Sequence, residues 1–198
     1  MLGSAATSHR ETMTIEIEEI SPERIDEYAA IPIHVDVTER VSPGDPASLR
    51  SQLVTLPFRK DYDAIEGAAP SQWAERHELS RWLLLLARDE RCVVGAAAVA
   101  PASVMSDVAL PDGAAVLWDI RVAPHARGTG VGRALLDRAA ASSRVRGCRW
   151  LIAETQDVNV PACRFYRRMG MTLASFEPRA YPTLPDEARM IWRLELSG

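Results

Sequence analysis

"NVPACRFYRRMG", residues 159–170, sets Asn159, Ala162, Tyr166 and Met169 three, four and three residues apart, so on a helix all four share one face. A small alanine between two hydrogen-bonding side chains leaves room on that face for a narrow chain to pass. Tyr166 is there either for packing or as a proton donor. Asn159, two residues before Pro161, either caps the helix or holds an amide of a ligand. Phe165 is turned away from that face, toward the core.

A second stretch, "RGTGVG" at residues 127–132, puts Gly128, Gly130 and Gly132 between a strand and a helix. Glycines at a helix start leave the backbone N–H groups unobstructed, and with the helix dipole these form an anion cradle. The alternative is a tight strand-to-helix connection. Glu154 tempts a dinucleotide reading, but Arg133 stands where the third glycine of that fold belongs and "APHA" separates strand from turn. No Gly-Lys-Ser/Thr follows, which excludes a Walker phosphate loop.

These groups need a scaffold, and hydrophobic periodicity supplies one. "TIEIEEI" alternates as a half-exposed strand, and Ser21, Pro22 and Glu23 read as a helix start. "WLLLLARDERCVVGAAAVAP" is a hairpin of two buried strands, and "AAVLWDIRVAP" a third central strand. In "RALLDRAAASSRV" and the residues before it, Val131, Leu135 and Ala139 form one helical stripe. "WLIAET" is a further buried strand. "ARMIWRLEL" alternates Met190, Trp192, Leu194 and Leu196 with Arg189, Arg193 and Glu195 on the opposite face. Between His34 and Trp73, punctuated by Pro43, Pro46, Pro57 and Pro70, the text predicts short helices and loops that shape a substrate site. The order of elements implies a mixed α/β sheet in one domain over residues 14–198, preceded by a disordered tail at 1–13.

Composition narrows the partners. The 198 residues are 47% hydrophobic and 25% charged with a net charge of −4, an ordinary globular balance that gives no reason to expect nucleic-acid binding. Three cysteines, Cys92, Cys148 and Cys163, are odd in number and lack metal-ligand spacing, so a reduced cytoplasmic protein with no metal is expected. No run is long and apolar enough for a membrane span.

The pattern Arg127-x-x-Gly130-x-Gly132 resembles the pyrophosphate loop of the GNAT N-acetyltransferase superfamily, and "NVPACRFYRRMGM" resembles its Asn-x-x-Ala-x-x-Phe-Tyr helix. "PFRKDY", "ETQDVNVPAC" and "AY…EARMIW" are similar to streptothricin acetyltransferases, which acetylate an amine in the β-lysine part of that antibiotic. The resemblance implies a mostly antiparallel mixed sheet flanked by helices, and acetyl-CoA as co-substrate. The amides of Gly128, Thr129, Gly130, Val131 and Gly132, with Arg127 and Arg133 beside them, would hold the pyrophosphate. The pantetheine arm would pass Ala162 between Asn159 and Tyr166, and Tyr166 would protonate the departing thiolate. Backbone amides from Ile120 to Val122 would form an oxyanion site.

An amine with a pKa near 10.4 is neutral in only about one molecule in 2,500 at pH 7, so a base is required. Asp119 and Glu154 are the candidates, each with the alternative role of structural acceptor. Asp61 and Asp63 either bind a cationic tail or are solvated acids. Arg164, Arg167 and Arg168 form a solvated face from which one could meet the CoA 3′-phosphate, and His125 is expected to be exposed. The resemblance thus implies acetyl transfer to a primary amine of a small cationic molecule, in a possible homodimer. The alternatives are a peptide N-acetyltransferase and a non-catalytic acyl-CoA sensor.

Overall fold

The computed structural model describes residues 14–90 and 92–196; the tail expected at 1–13 lies outside the described residues. Nine strands and three α-helices follow in the order β1 (Glu16–Ile20), α1 (Ile25–Ala29), β2 (His34–Val41), β3 (Ser51–Asp61), β4 (Leu83–Arg88), β5 (Val93–Pro101), β6 (Ala114–Val122), α2 (Val131–Val145), β7 (Trp150–Gln156), α3 (Val160–Arg168), β8 (Thr172–Pro178) and β9 (Ala188–Glu195) among these residues. Seven strands form one sheet in the order β1-β4-β5-β6-β7-β9-β8, while β2 and β3 pair separately. Every neighbour in the large sheet is antiparallel except β6 and β7, which run parallel.

The core sits on both faces of the central strands, which is why they read as continuous apolar runs rather than alternating ones. Leu83, Leu84, Leu85 and Leu86 are all buried, and each contributes about 2 kcal/mol of transfer free energy. The Val131, Leu135 and Ala139 stripe of α2 is buried as its spacing requires. It approaches β5 closely at Gly95, where a Cβ would stand 2.7 Å from Val131 Cγ1 and 3.1 Å from the Arg121 carbonyl oxygen. No larger residue fits there, so this glycine sets the distance between helix and sheet.

Three expectations are corrected. The helix start at Pro22 is first a 3-10 turn, Pro22–Arg24, and the Ser21 side chain makes no capping hydrogen bond. The insert between His34 and Trp73 is not chiefly short helices and loops. It contains the β2–β3 hairpin, whose register jumps from Val37↔Phe58 to Glu39↔Leu53. Pro57 lies inside that bulge, where no ladder N–H is needed, so the proline did not exclude a strand. Finally, the charged face read for β9 is not uniform, since Arg193 and Glu195 are exposed whereas Arg189 is buried among carboxylates. Strand β9 is itself internal, so of the C-terminal strands only β8 offers an open edge.

Candidate functional site

Strands β6 and β7 are paired only from Ala114↔Trp150 to Leu117↔Ala153 and then part. The divergence begins at a bulge: β5 pairs Ala98 with Asp119 and Val99 with Leu117, leaving Trp118 extra in β6. Beyond it, β6 from Asp119 to Val122 keeps its ladder with β5 but has none on its β7 side, and β7 from Glu154 onward pairs only with β9. The wedge opens into a cavity of about 990 Å³ that runs from the β6–β7 fork to the start of α2. Its lining includes Asp119, Glu154, Gly130, Asn159, Ala162 and Tyr166.

At the α2 end, Gly128 and Gly130 have φ of 78° and 101°, a backbone region that side chains disfavour, and a Cβ at either would meet nothing within 4 Å. The turn is therefore not tight for want of space. Its glycines allow a left-handed backbone beside open volume at the start of α2, where helix-start N–H groups have no intrahelical partner. Thr129 turns its hydroxyl inward to the Ala126 carbonyl at 2.7 Å. Arg127 is exposed and folded back on the carbonyl oxygens of Val122 and His34, at 3.3 and 3.4 Å. Arg133 and Arg168 also line this end, which is thus cationic. Of the other helix arginines, Arg164 pairs with Glu39 at 2.8 Å and Arg167 donates to the Ala47 carbonyl, and His125 is exposed.

Asn159 is the N-cap of α3. Its Oδ1 accepts the Ala162 N–H at 3.2 Å while Nδ2 donates to the Tyr62 hydroxyl at 3.0 Å. The buried stripe of α3 is Val160, Cys163 and Tyr166. Phe165, half-buried, packs against the core as expected, and it also lines the cavity and lies against the first turn of α2. Tyr166 is 5% exposed, and no side chain or backbone group among the described residues hydrogen-bonds its hydroxyl. Burial first, and the Asp119 charge second, raise its pKa well above the usual 10, so it holds its proton at neutral pH.

The two strand carboxylates have different surroundings. Asp119 accepts from Tyr28 at 2.7 Å and from Arg121 Nε and Nη2 at 2.9 and 2.8 Å. Arg121, 2% exposed, also binds both oxygens of Asp63 and the Ile31 carbonyl. Asp63 is therefore bound into this buried network. Asp61 is exposed and accepts the Asp63 N–H at 3.0 Å. Glu154 is bound less strongly. Its Oε1 accepts from the Tyr181 hydroxyl at 2.8 Å, and its Oε2 lies 4.0 Å from Arg189, whose nearer partners are Asp107 and Glu177 at 2.6 Å. Burial pushes the Glu154 carboxyl above its ordinary pKa. Five acids (Asp63, Asp107, Asp119, Glu154 and Glu177) surround Arg121 and Arg189 here; Asp107, Asp119 and Glu154 line the cavity with both arginines, so acids outnumber bases at this end.

Sequence reasoning missed Tyr28, Tyr62, Arg121, Tyr181 and Arg189. Arg121 left a signal, since an arginine two residues after Asp119 shares its face of an otherwise apolar strand and implies a buried pair; Tyr62, Tyr181 and Arg189 lie within the quoted "PFRKDY" and "AY…EARMIW" stretches, and Tyr28 left none.

Over residues 50–171 the sequence matches the acetyltransferase (GNAT) family. Streptothricin acetyltransferase of Streptomyces lavendulae is 42% identical over 69 residues, 35% of this chain and 36% of that one. Streptothricin acetyltransferase A of Bacillus subtilis (strain 168) is 34% identical over 83 residues, 41% and 48% of the two chains. Each match thus spans less than half the length of the curated relative. The crystal structure of nourseothricin acetyltransferase superposes with a TM-score of 0.70 at 23% identity, covering 92% of this chain and 99% of that one. A Bacillus anthracis protein ascribed to the streptothricin acetyltransferases, solved with acetyl coenzyme A, gives 0.69 at 23% identity with the same coverage of 92% and 99%. At that identity these two likenesses establish the fold.

Proposed function

The chain belongs to the acetyltransferase (GNAT) family, and from that premise we propose that it transfers acetyl from acetyl-CoA to a primary amine of a small cationic molecule, streptothricin or a related β-lysyl compound. One observation carries the reading: a single cavity joins a cationic glycine-rich helix start to an anionic fork between β6 and β7. An anionic co-substrate and a cationic acceptor fit opposite ends of such a space. A small acceptor is favoured over a peptide because His34, Tyr62 and Trp73 from the insert wall the cavity. The acids at the anionic end come from β6, β7, β8, the loop bearing Asp107 and, with Asp63, the insert itself. A cytoplasmic location agrees with this reading, and among the described residues no helix is long and apolar enough to cross a membrane.

The residues present fit acetyl-CoA, which would supply an activated thioester. The amides from Gly128 to Val131, of which that of Thr129 now bonds the Ala126 carbonyl at 3.4 Å, would hold its pyrophosphate, with Gly132, Arg127 and Arg133 adjoining, and Ala162 would leave a track for the arm beneath Asn159. The unpartnered edge of β6 from Ile120 to Val122 would receive the carbonyl oxygen. We place the base at Glu154. Its raised pKa makes it a better proton acceptor than an ordinary carboxylate, and only one of its oxygens has a close partner. Asp119, with both oxygens engaged, takes the role of acceptor that fixes Arg121. Tyr166 carries a proton into the cavity and gives it to the departing sulfur.

The test is to incubate the protein with acetyl-CoA and streptothricin, beside polyamines and lysine peptides, and follow products by mass spectrometry. Streptothricin acetylation that falls by about 100-fold in Tyr166→Phe, with acetyl-CoA affinity retained, is the expected result. Acetylation only of another amine removes the antibiotic and keeps the chemistry. Binding of acetyl-CoA without any transfer leaves a sensor and ends the enzymatic reading.

A further inference from the structure

Tyr181 has no part in the chemistry as described, yet it touches the group placed at its centre. It lies in the loop between β8 and β9, where Ala180 and Pro182 on either side also line the cavity. Its hydroxyl accepts from Gln156 Nε2 at 3.1 Å and donates to Glu154 Oε1 at 2.8 Å. The direction of this chain is fixed by chemistry. An amide nitrogen only donates, and a phenol has a single proton, so that proton is committed to the carboxylate. Burial, followed by the Glu154 charge, raises the Tyr181 pKa, and the hydroxyl stays a donor at any pH at which the protein works. The remaining amide atom, Gln156 Oε1, is buried without a partner among the described residues. The loop is anchored from the β2–β3 hairpin: Lys60 pairs with Glu187 in a buried contact, and Arg40 binds both Asp157 and the Asp186 carbonyl.

We infer that Tyr181, oriented by Gln156, is a positioning residue that occupies Oε1 of Glu154 and leaves Oε2 to take the proton from the acceptor ammonium. The inference rests on Glu154 being the base. In the step, an N–H bond of the ammonium breaks, an O–H bond forms at Oε2, and the neutral amine keeps the electron pair with which it attacks. The hydroxyl of Tyr181 stabilises the ionised carboxylate and lowers its pKa against burial, in the same sense as Arg189 and against Asp107 and Glu177. These four groups, from the 179–187 loop, β9, the loop after β5 and β8, are the ionisable ones that face Glu154.

The test reads Glu154 directly and activity separately. Carboxyl ¹³C NMR titration, with the resonance assigned by Glu154→Gln, is compared in wild type, Tyr181→Phe and Gln156→Met, beside the pH dependence of kcat/KM. The titration midpoint of Glu154 rises by about one pH unit in Tyr181→Phe, and by less in Gln156→Met. The acid limb of kcat/KM moves by the same amount, while the rate on the alkaline plateau stays within a few-fold. An unchanged or lower midpoint in Tyr181→Phe overturns the positioning role whatever the activity. A raised midpoint with an unmoved rate profile, and a Glu154→Gln variant of full activity, overturns instead the assignment of Glu154 as base, and the catalytic role of Tyr181 with it.

Discussion

Replacing Arg121 by methionine tests the buried network most severely. The guanidinium is 2% exposed and makes five hydrogen bonds, two to Asp119, two to Asp63 and one to the Ile31 carbonyl. Methionine keeps the length and apolar stem and removes only the charge and donors. Asp119, with a side chain 10% exposed, would keep one partner, the Tyr28 hydroxyl, while Asp63 at 27% could turn toward water. One stranded buried charge puts the loss at about 3–5 kcal/mol, a large fraction of the roughly 5–15 kcal/mol that stabilises a domain. With a urea slope of about 2 kcal/mol per molar, the unfolding midpoint falls by about 2 M. Tryptophan fluorescence reports the transition, since Trp73, Trp82 and Trp118 pack together, with ring centroids 5.5 and 5.4 Å apart along the cluster. The double variant Arg121→Met with Asp119→Leu should recover more than half of the loss, because the charge that was stranded is gone. A single-variant loss below about 1 kcal/mol, or no recovery in the double variant, would refute the claim that Arg121 exists to neutralise buried acids.

Three further outcomes follow from local features. Gly130→Ala at φ 101° should lower stability by about 1–2 kcal/mol and weaken acetyl-CoA binding measured by calorimetry by at least about tenfold; unchanged affinity would remove the turn from the binding site. Glu18, bonded to Arg24 and Arg88, has a pKa held down at about 2. Because the folded value lies below the unfolded one, its stabilising effect is complete above about pH 5 and lost as pH falls toward 2. The urea-midpoint gap between wild type and Glu18→Gln should therefore close over that window, and a gap constant with pH would contradict the pairing. Burial pushes the Cys163 thiol up to about 12. Thiol titration of the native protein at pH 8 should label exposed Cys92 first and leave Cys163 unreactive until the chain unfolds, so native labelling of Cys163 would show that α3 opens.

The sequence by itself determined what local spacing can carry. Alternation and apolar runs located β1, β4, β5, β6, β7 and β9, the 3.6-residue period located α2, and the two motifs marked a glycine-rich turn and a tyrosine that line one cavity. The β2–β3 hairpin was hidden because Pro57, which reads as a breaker, falls in a bulge whose existence depends on how the partner strand is registered. The roles of the acids were hidden for a related reason. Asp63 and Arg121 lie 58 residues apart and Tyr181 and Glu154 27 apart, so nothing in the neighbourhood of either residue records the contact. A carboxylate becomes a structural acceptor or a poised base according to which charges the fold brings within about 4 Å of it and how much water it keeps, and both are set only when the strands have paired and the loops have closed over them.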